Sequence, residues 1–214
     1  MQTLWYVLLV LGAYLLGSVP TGLLAVKKYA GIDVREVGSG NIGAMNVTRV
    51  AGLGIGAVTM LADALKAFIP VTVASHLGYL TWQVAIVGLA AVVGHDYSVY
   101  LRFNGGKGVA SSFGMIFGLS PYAGLAALGV WVLAALVFRY ASVASMAAVM
   151  SMPLWLWAFG QDPAYIGAAV LLFFLTTYKH RSNIRRLQQG KEPHIGEKVT
   201  VPPGGSQKGK GKAS

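Results

Sequence analysis

Three short polar stretches of this 214-residue chain carry the residue types that can hold an anion and act on it. The first, Gly38–Arg49, reads GSGNIGAMNVTR. Gly38, Gly40 and Gly43 can turn successive backbone N–H groups toward one anion. Ser39, Asn41 and Asn46 add neutral donors, and Arg49 adds a fixed charge whose planar fork matches two phosphate oxygens. A helix is predicted to begin just after the glycines and to add its positive dipole end. The plain alternative is a flexible loop between helices. The glycines also spell G-x-G-x-x-G, but no hydrophobic strand precedes them and no strand–helix–strand unit surrounds them, which excludes a dinucleotide fold.

The second stretch, Gly94–Val109, ends in Gly105–Gly106–Lys107–Gly108, a flexible backbone with one point charge. It is not a Walker loop, because Gly108 stands where Ser or Thr would hold magnesium. The third, Lys179–Glu192, reads KHRSNIRRLQQGKE. His180 and Asn183 are three apart and share one helical face. Both can donate and accept, which suits hydroxyl groups. Arg181, Arg185 and Arg186 read as a headgroup and topology anchor, and Glu192 is the only acid there. The chain has no cysteine, and His76, His95, His180 and His194 show no zinc-type pairing.

These stretches need a membrane scaffold. Apolar residues make up 55% of the chain, charged residues 11%, and mean hydropathy is +0.60, where a soluble domain carries about 25% charged residues. Seven spans are predicted: Leu4–Val26, bent near Pro20, then Gly52–Ser75, Thr81–Val93, a short Gly108–Leu119, Pro121–Phe138, Ser142–Phe159 and Ala164–Tyr178. The first run is too long for a signal peptide, and Lys27 and Lys28 follow it instead of preceding it. Of the 17 basic residues, only Lys66 falls outside the odd-numbered loops and the tail. The positive-inside bias makes that face cytoplasmic and puts the N-terminus outside. The fold class is therefore all-α, a polytopic membrane bundle with a cytoplasmic C-terminus. Residues 1–198 form one domain, and 199–214 read as a disordered tail or an added remnant. Asp63 and Lys66, inside the second span, are expected to pair and point into the bundle.

In their order and spacing, the three stretches resemble the motifs of the bacterial acyl-phosphate:glycerol-3-phosphate acyltransferase family. Ser39, Gly40, Asn41, Gly43, Ala44, Asn46 and Arg49 match the first motif. Gly94, His95, Phe103, Gly105, Gly106, Lys107, Gly108 and Val109 match the second. Lys179, His180, Asn183, Ile184, Arg186, Leu187, Gly190 and Glu192 match the third. The resemblance implies acyl transfer from acyl phosphate to glycerol 3-phosphate at the cytoplasmic face of a bacterial inner membrane, giving 1-acylglycerol 3-phosphate and phosphate. Its partners would be those substrates and membrane lipids, with no cofactor, metal or nucleic acid. Ser39, Gly40, Asn41, Gly43, Gly105, Gly106 and Lys107 would bind acyl phosphate. Arg49, Asn46, His180, Asn183 and Glu192 would bind glycerol 3-phosphate, and Lys107, His180, Asn183 and Ser39 would be catalytic. His-x-x-x-x-Asp is absent. The proton then goes to a substrate phosphate, whose second pKa of about 6 is suitable, ahead of His180, Asp96 or Glu192. The alternative reading is a transporter of a phosphate-bearing anion or lipid.

Overall fold

The computed structural model describes residues 1–197, all helix, turn or loop. The expected tail at 199–214 lies outside the described residues. The first apolar run is broken where proline removes a backbone donor, giving α1 (Gln2–Ser18) and α2 (Thr21–Ala30) on either side of Val19–Pro20. Two short helices flank the polar stretches: α3 (Ala44–Ala51) and α10 (Arg181–Gln188). Between them run α4 (Leu53–His76), α5 (Thr81–Asp96), α6 (Val109–Leu119), α7 (Pro121–Phe138), α8 (Ala141–Ala158) and α9 (Pro163–Lys179). Ser120 and Asp162 cap α7 and α9, each followed by a first-turn proline.

All seven predicted apolar segments are helical, but they are not equivalent. Five helical stretches are long and apolar enough to cross a bilayer: Gln2–Ala30, Leu53–His76, Thr81–Leu101, Pro121–Phe138 and Ala141–Ala158. The helices α6 and α9 are shorter. Eleven residues of α6 rise only about 16 Å at 1.5 Å per residue. The helices surround α5, where Val87, Ala91 and Val92 pack with Met115 and Ile116 of α6, Met152 of α8 and Leu172 of α9. Outward faces stay apolar, with Leu8 and Leu11 of α1 and Leu133 and Leu136 of α7 exposed.

Small residues set the closest approaches, as expected where lipid offers no hydrophobic drive between helices. A Cβ on Gly17 of α1 would lie 2.0 Å from the Ala91 carbonyl oxygen of α5, and one on Gly94 would lie 2.2 Å from that of Tyr14. The main chains of α1 and α5 therefore touch twice.

Asp63 and Lys66 do point into the bundle. Lys66 Nζ lies 2.6 Å from Asp63 Oδ1, and both side chains are almost fully buried. Thr21 donates to the same carboxylate oxygen at 2.5 Å. Lys66 also donates to the Val19 carbonyl, at the break between α1 and α2. The pair thus closes a gap that proline opens in the first span.

Candidate active site

The Gly105–Gly108 turn is cast on the last two residues of α5. The Gly106 N–H donates to the His95 carbonyl at 2.9 Å and the Gly105 N–H to the Asp96 carbonyl at 3.2 Å. Lys179, at the end of α9, donates to that Asp96 carbonyl at 2.6 Å and lies 4.4 Å from the centre of the Tyr97 ring. The fit allows no side chain. A Cβ at Gly106 would fall 2.0 Å from His95 Nε2, and one at Gly105 the same distance from the His95 carbonyl oxygen. Gly108 has φ of +70° and caps α6, with the Asp96 carboxylate beneath it.

This turn delivers Lys107 to the start of α10. Its Nζ donates to Asn183 Oδ1 at 2.5 Å. Asn183 Nδ2 donates to Glu192 Oε1 at 2.6 Å, and Arg186 Nε donates to Glu192 Oε2 at 2.8 Å. Burial is the largest influence on Lys107 and lowers its pKa to about 8; the Arg186, Arg49 and Lys179 charges push the same way, against Glu192. Burial would raise the Glu192 pKa, but hydrogen bonds from Asn183 and Arg186 and the Arg186 charge hold it below its ordinary value.

His180 sits between α9 and α10 and is 3% exposed. Its Nδ1 is 2.8 Å from the Thr176 carbonyl oxygen. A carbonyl can only accept, so Nδ1 carries the proton and Nε2 keeps a lone pair. Burial first, and the Lys107 charge second, lower its pKa to about 4. The ring is neutral at physiological pH.

The first polar loop reaches the same place from the other end of the chain. The Arg49 guanidinium is half-buried, and its Nε has no partner among the described residues. Burial lowers its pKa, while the Glu192 and Glu197 charges raise it. Arg49 therefore shares one electrostatic neighbourhood with Lys107, Arg186 and Glu192.

The glycine N–H groups depart from expectation. They do not form open nests. The Ser39 N–H donates to Asn46 Oδ1 at 2.9 Å, the Gly40 N–H to the Val37 carbonyl at 3.2 Å, and the Gly43 N–H to Asn41 Oδ1 at 2.7 Å. The Asn46 amide also donates to Val34, Val37 and Asn41 carbonyls, and Asn46 is only 2% exposed. Buried amides must be satisfied locally, so Asn41, Asn46 and the glycines fold the loops. Arg49 Nε keeps no partner among the described residues, and Lys107 has Asn183. Glu192, expected among the glycerol 3-phosphate ligands, accepts from Asn183 and Arg186.

His95 and Lys179, matched in the motifs but given no role from the sequence, are parts of this architecture. Only the second and third motifs carried a signal for His95 and Lys179. Among the described residues, no group of three or more His, Asp or Glu side chains is placed to hold a metal ion.

Residues 7–190 match the family model described as glycerol-3-phosphate acyltransferase. A glycerol-3-phosphate acyltransferase of Geotalea daltonii is 47% identical over 87% of this chain and 95% of its own. One from Rubrobacter xylanophilus is 48% identical over 89% and 95%. Two crystal structures of PlsY, an integral membrane glycerol 3-phosphate acyltransferase, share the fold. The glycerol 3-phosphate form has a TM-score of 0.85 at 41% identity, covering 89% of this chain and 96% of that one. The lysophosphatidic acid form has a TM-score of 0.83 at 40% identity, covering 89% and 95%.

Proposed function

Because this chain belongs to the glycerol-3-phosphate acyltransferase family, we propose that it acylates glycerol 3-phosphate for phospholipid synthesis, with acyl phosphate as the donor. The observation that carries the reading is the Lys107–Asn183–Glu192–Arg186 chain. It joins a glycine turn to the end of the last apolar helix, with Arg49 in the same charged neighbourhood. Two phosphate-bearing substrates need two cationic contacts, and acyl chains need lipid beside the site.

Arg49 takes the phosphate of glycerol 3-phosphate, with its fork on two oxygens. Neutral His180 accepts a hydrogen bond from an acceptor hydroxyl through Nε2 and orients that oxygen toward the acyl carbonyl. The hydroxyl oxygen forms the new ester bond as the acyl–phosphate C–O bond breaks. The departing phosphate leaves with that bond's electron pair. Lys107 and the Ser39 hydroxyl stabilise its growing charge; charge-assisted contacts are the stronger kind. Asn183 releases Lys107 to it and turns toward the acceptor. His180 binds protons too weakly to be an effective base, so the hydroxyl proton passes to a substrate phosphate of pKa about 6. Positioning can supply about 7–11 kcal/mol of such a barrier.

The topology that supports this reading has seven spans, an outside N-terminus and the site on the cytoplasmic side of a bacterial inner membrane. Its support is the clustering of basic residues. The deciding experiment is an assay of purified protein in lipid. Acyl phosphate and glycerol 3-phosphate should give 1-acylglycerol 3-phosphate and phosphate, with acyl-CoA and acyl carrier protein thioesters as competing donors. Full turnover with acyl-CoA alone would reject the donor assignment.

A further inference from the structure

His95 takes no part in these steps, yet it lies directly under the residue before Lys107. Its side chain is buried. The ring has Asp63 on one side, with Nδ1 3.6 Å from Asp63 Oδ1 and no hydrogen-bond partner among the described residues. On the other side, the Nε2 edge meets Gly106 so closely that a methyl group there would stand 2.0 Å away. The His95 carbonyl accepts the Gly106 N–H as well. Main chain and ring of one residue therefore grip the same glycine.

Asp63 is itself immobilised. Lys66 and Thr21 hold its carboxylate, and Ser111 of α6 donates to its carbonyl at 2.9 Å. The remaining charged neighbours of this end of α5 are Asp96, whose buried carboxylate has no donor, and Lys179 on the Asp96 carbonyl. A turn with three glycines has wide conformational freedom, and its shape is set by what lies beneath it.

We propose that His95 is a positioning residue for Lys107: the Asp63–Lys66 pair, anchored at the α1–α2 break, holds the imidazole as the floor of the Gly105–Gly108 turn. The inference rests on the reading that Lys107 meets a substrate phosphate. It makes the intramembrane ion pair a support of the site and not only of the bundle.

The test is a double-mutant cycle in lipid, reading kcat and the pH profile of kcat/KM for glycerol 3-phosphate. Gly106→Ala is expected to lower kcat about a hundredfold, since a mispositioned charge loses its transition-state contact. His95→Asn, shorter but still polar toward Asp63, is expected to cost about tenfold and to move the basic limb that Lys107 sets. The double variant should be no worse than Gly106→Ala alone, because the shortened side chain leaves room for the methyl. Independent losses that multiply to about a thousandfold would overturn the inference. So would an unmoved basic limb in His95→Asn. His95→Gln, which keeps the length, should stay within about threefold of wild type and covers the case where His95→Asn does not assemble; a His95→Gln variant as slow as Gly106→Ala would also overturn it. Wild-type protein that does not acylate glycerol 3-phosphate would instead overturn the functional reading.

Discussion

Among the described residues, two lysines are placed against a buried carboxylate or carboxamide, and they behave oppositely. Lys66 is saturated: Asp63, Thr21 and the Val19 carbonyl occupy its donors. Lys107 has one partner among the described residues, Asn183, and a pKa lowered to about 8 by burial and three neighbouring cations. A lysine whose donors are filled by the fold is architecture. A lysine held half-filled among like charges is ready for an anion that will complete its shell.

Removing each charge should therefore have opposite consequences. Lys66→Met leaves Asp63 buried without its cation and should destabilise the protein by about 3–5 kcal/mol, read as a large fall in thermal unfolding temperature in detergent. Lys66→Met with Asp63→Leu should recover most of that loss, and a double variant as unstable as the single would break the comparison. Lys107→Ala should lower kcat by about 10²–10³-fold, the range for loss of one transition-state donor. Arg102→Ala, in the same loop, should stay within about threefold. Equal mild effects would make Lys107 a topology charge only.

Acidity sharpens the contrast further. A lysine whose folded pKa lies below its ordinary value costs stability while it is protonated. That cost is complete below about pH 8 and is relieved as pH rises toward the ordinary lysine value. Lys107→Met should thus raise the unfolding temperature at pH 7 while lowering kcat as much as Lys107→Ala does. In the wild type, kcat/KM should fall as pH passes upward through about 8, and Lys107→Arg should push that limb higher. A milder loss is expected at Arg49. Arg49→Lys keeps the charge and loses the fork, so kcat/KM for glycerol 3-phosphate should drop about tenfold, with use of the donor little changed.

Much of this was legible in the residues. Ser120–Pro121 declares a helix start, and Pro20 declares the break in the first span, because each acts through its own backbone. The pairing of Asp63 with Lys66 follows from helical spacing. Charge placement and motif order lead to the expectation that Arg49, His180 and Asn183 meet at one acceptor; they do not foretell the bond from Lys107 to Asn183. The fate of the glycine N–H groups was not legible. Gly43 donates to Asn41, and Gly106 to His95, for reasons of three-dimensional closure that a list of residue types does not contain. The same holds for the bonds that Glu192 accepts from Asn183 and Arg186. Span count was also ambiguous from composition, since α6 is apolar but short.

The bond from Lys107 to Asn183 joins residues 76 apart in sequence, and Asn183 is steadied by Glu192 further on. Its consequence appears during synthesis. Chains emerge from the ribosome N-terminus first, at roughly 5–20 residues per second. Lys107 is made well before Asn183 and Glu192 exist. A nascent or truncated chain that stops short of the last apolar helix has its cations but no Asn183 to aim them. If Lys107 meets a substrate phosphate as proposed, translation of α10 is itself the arming step.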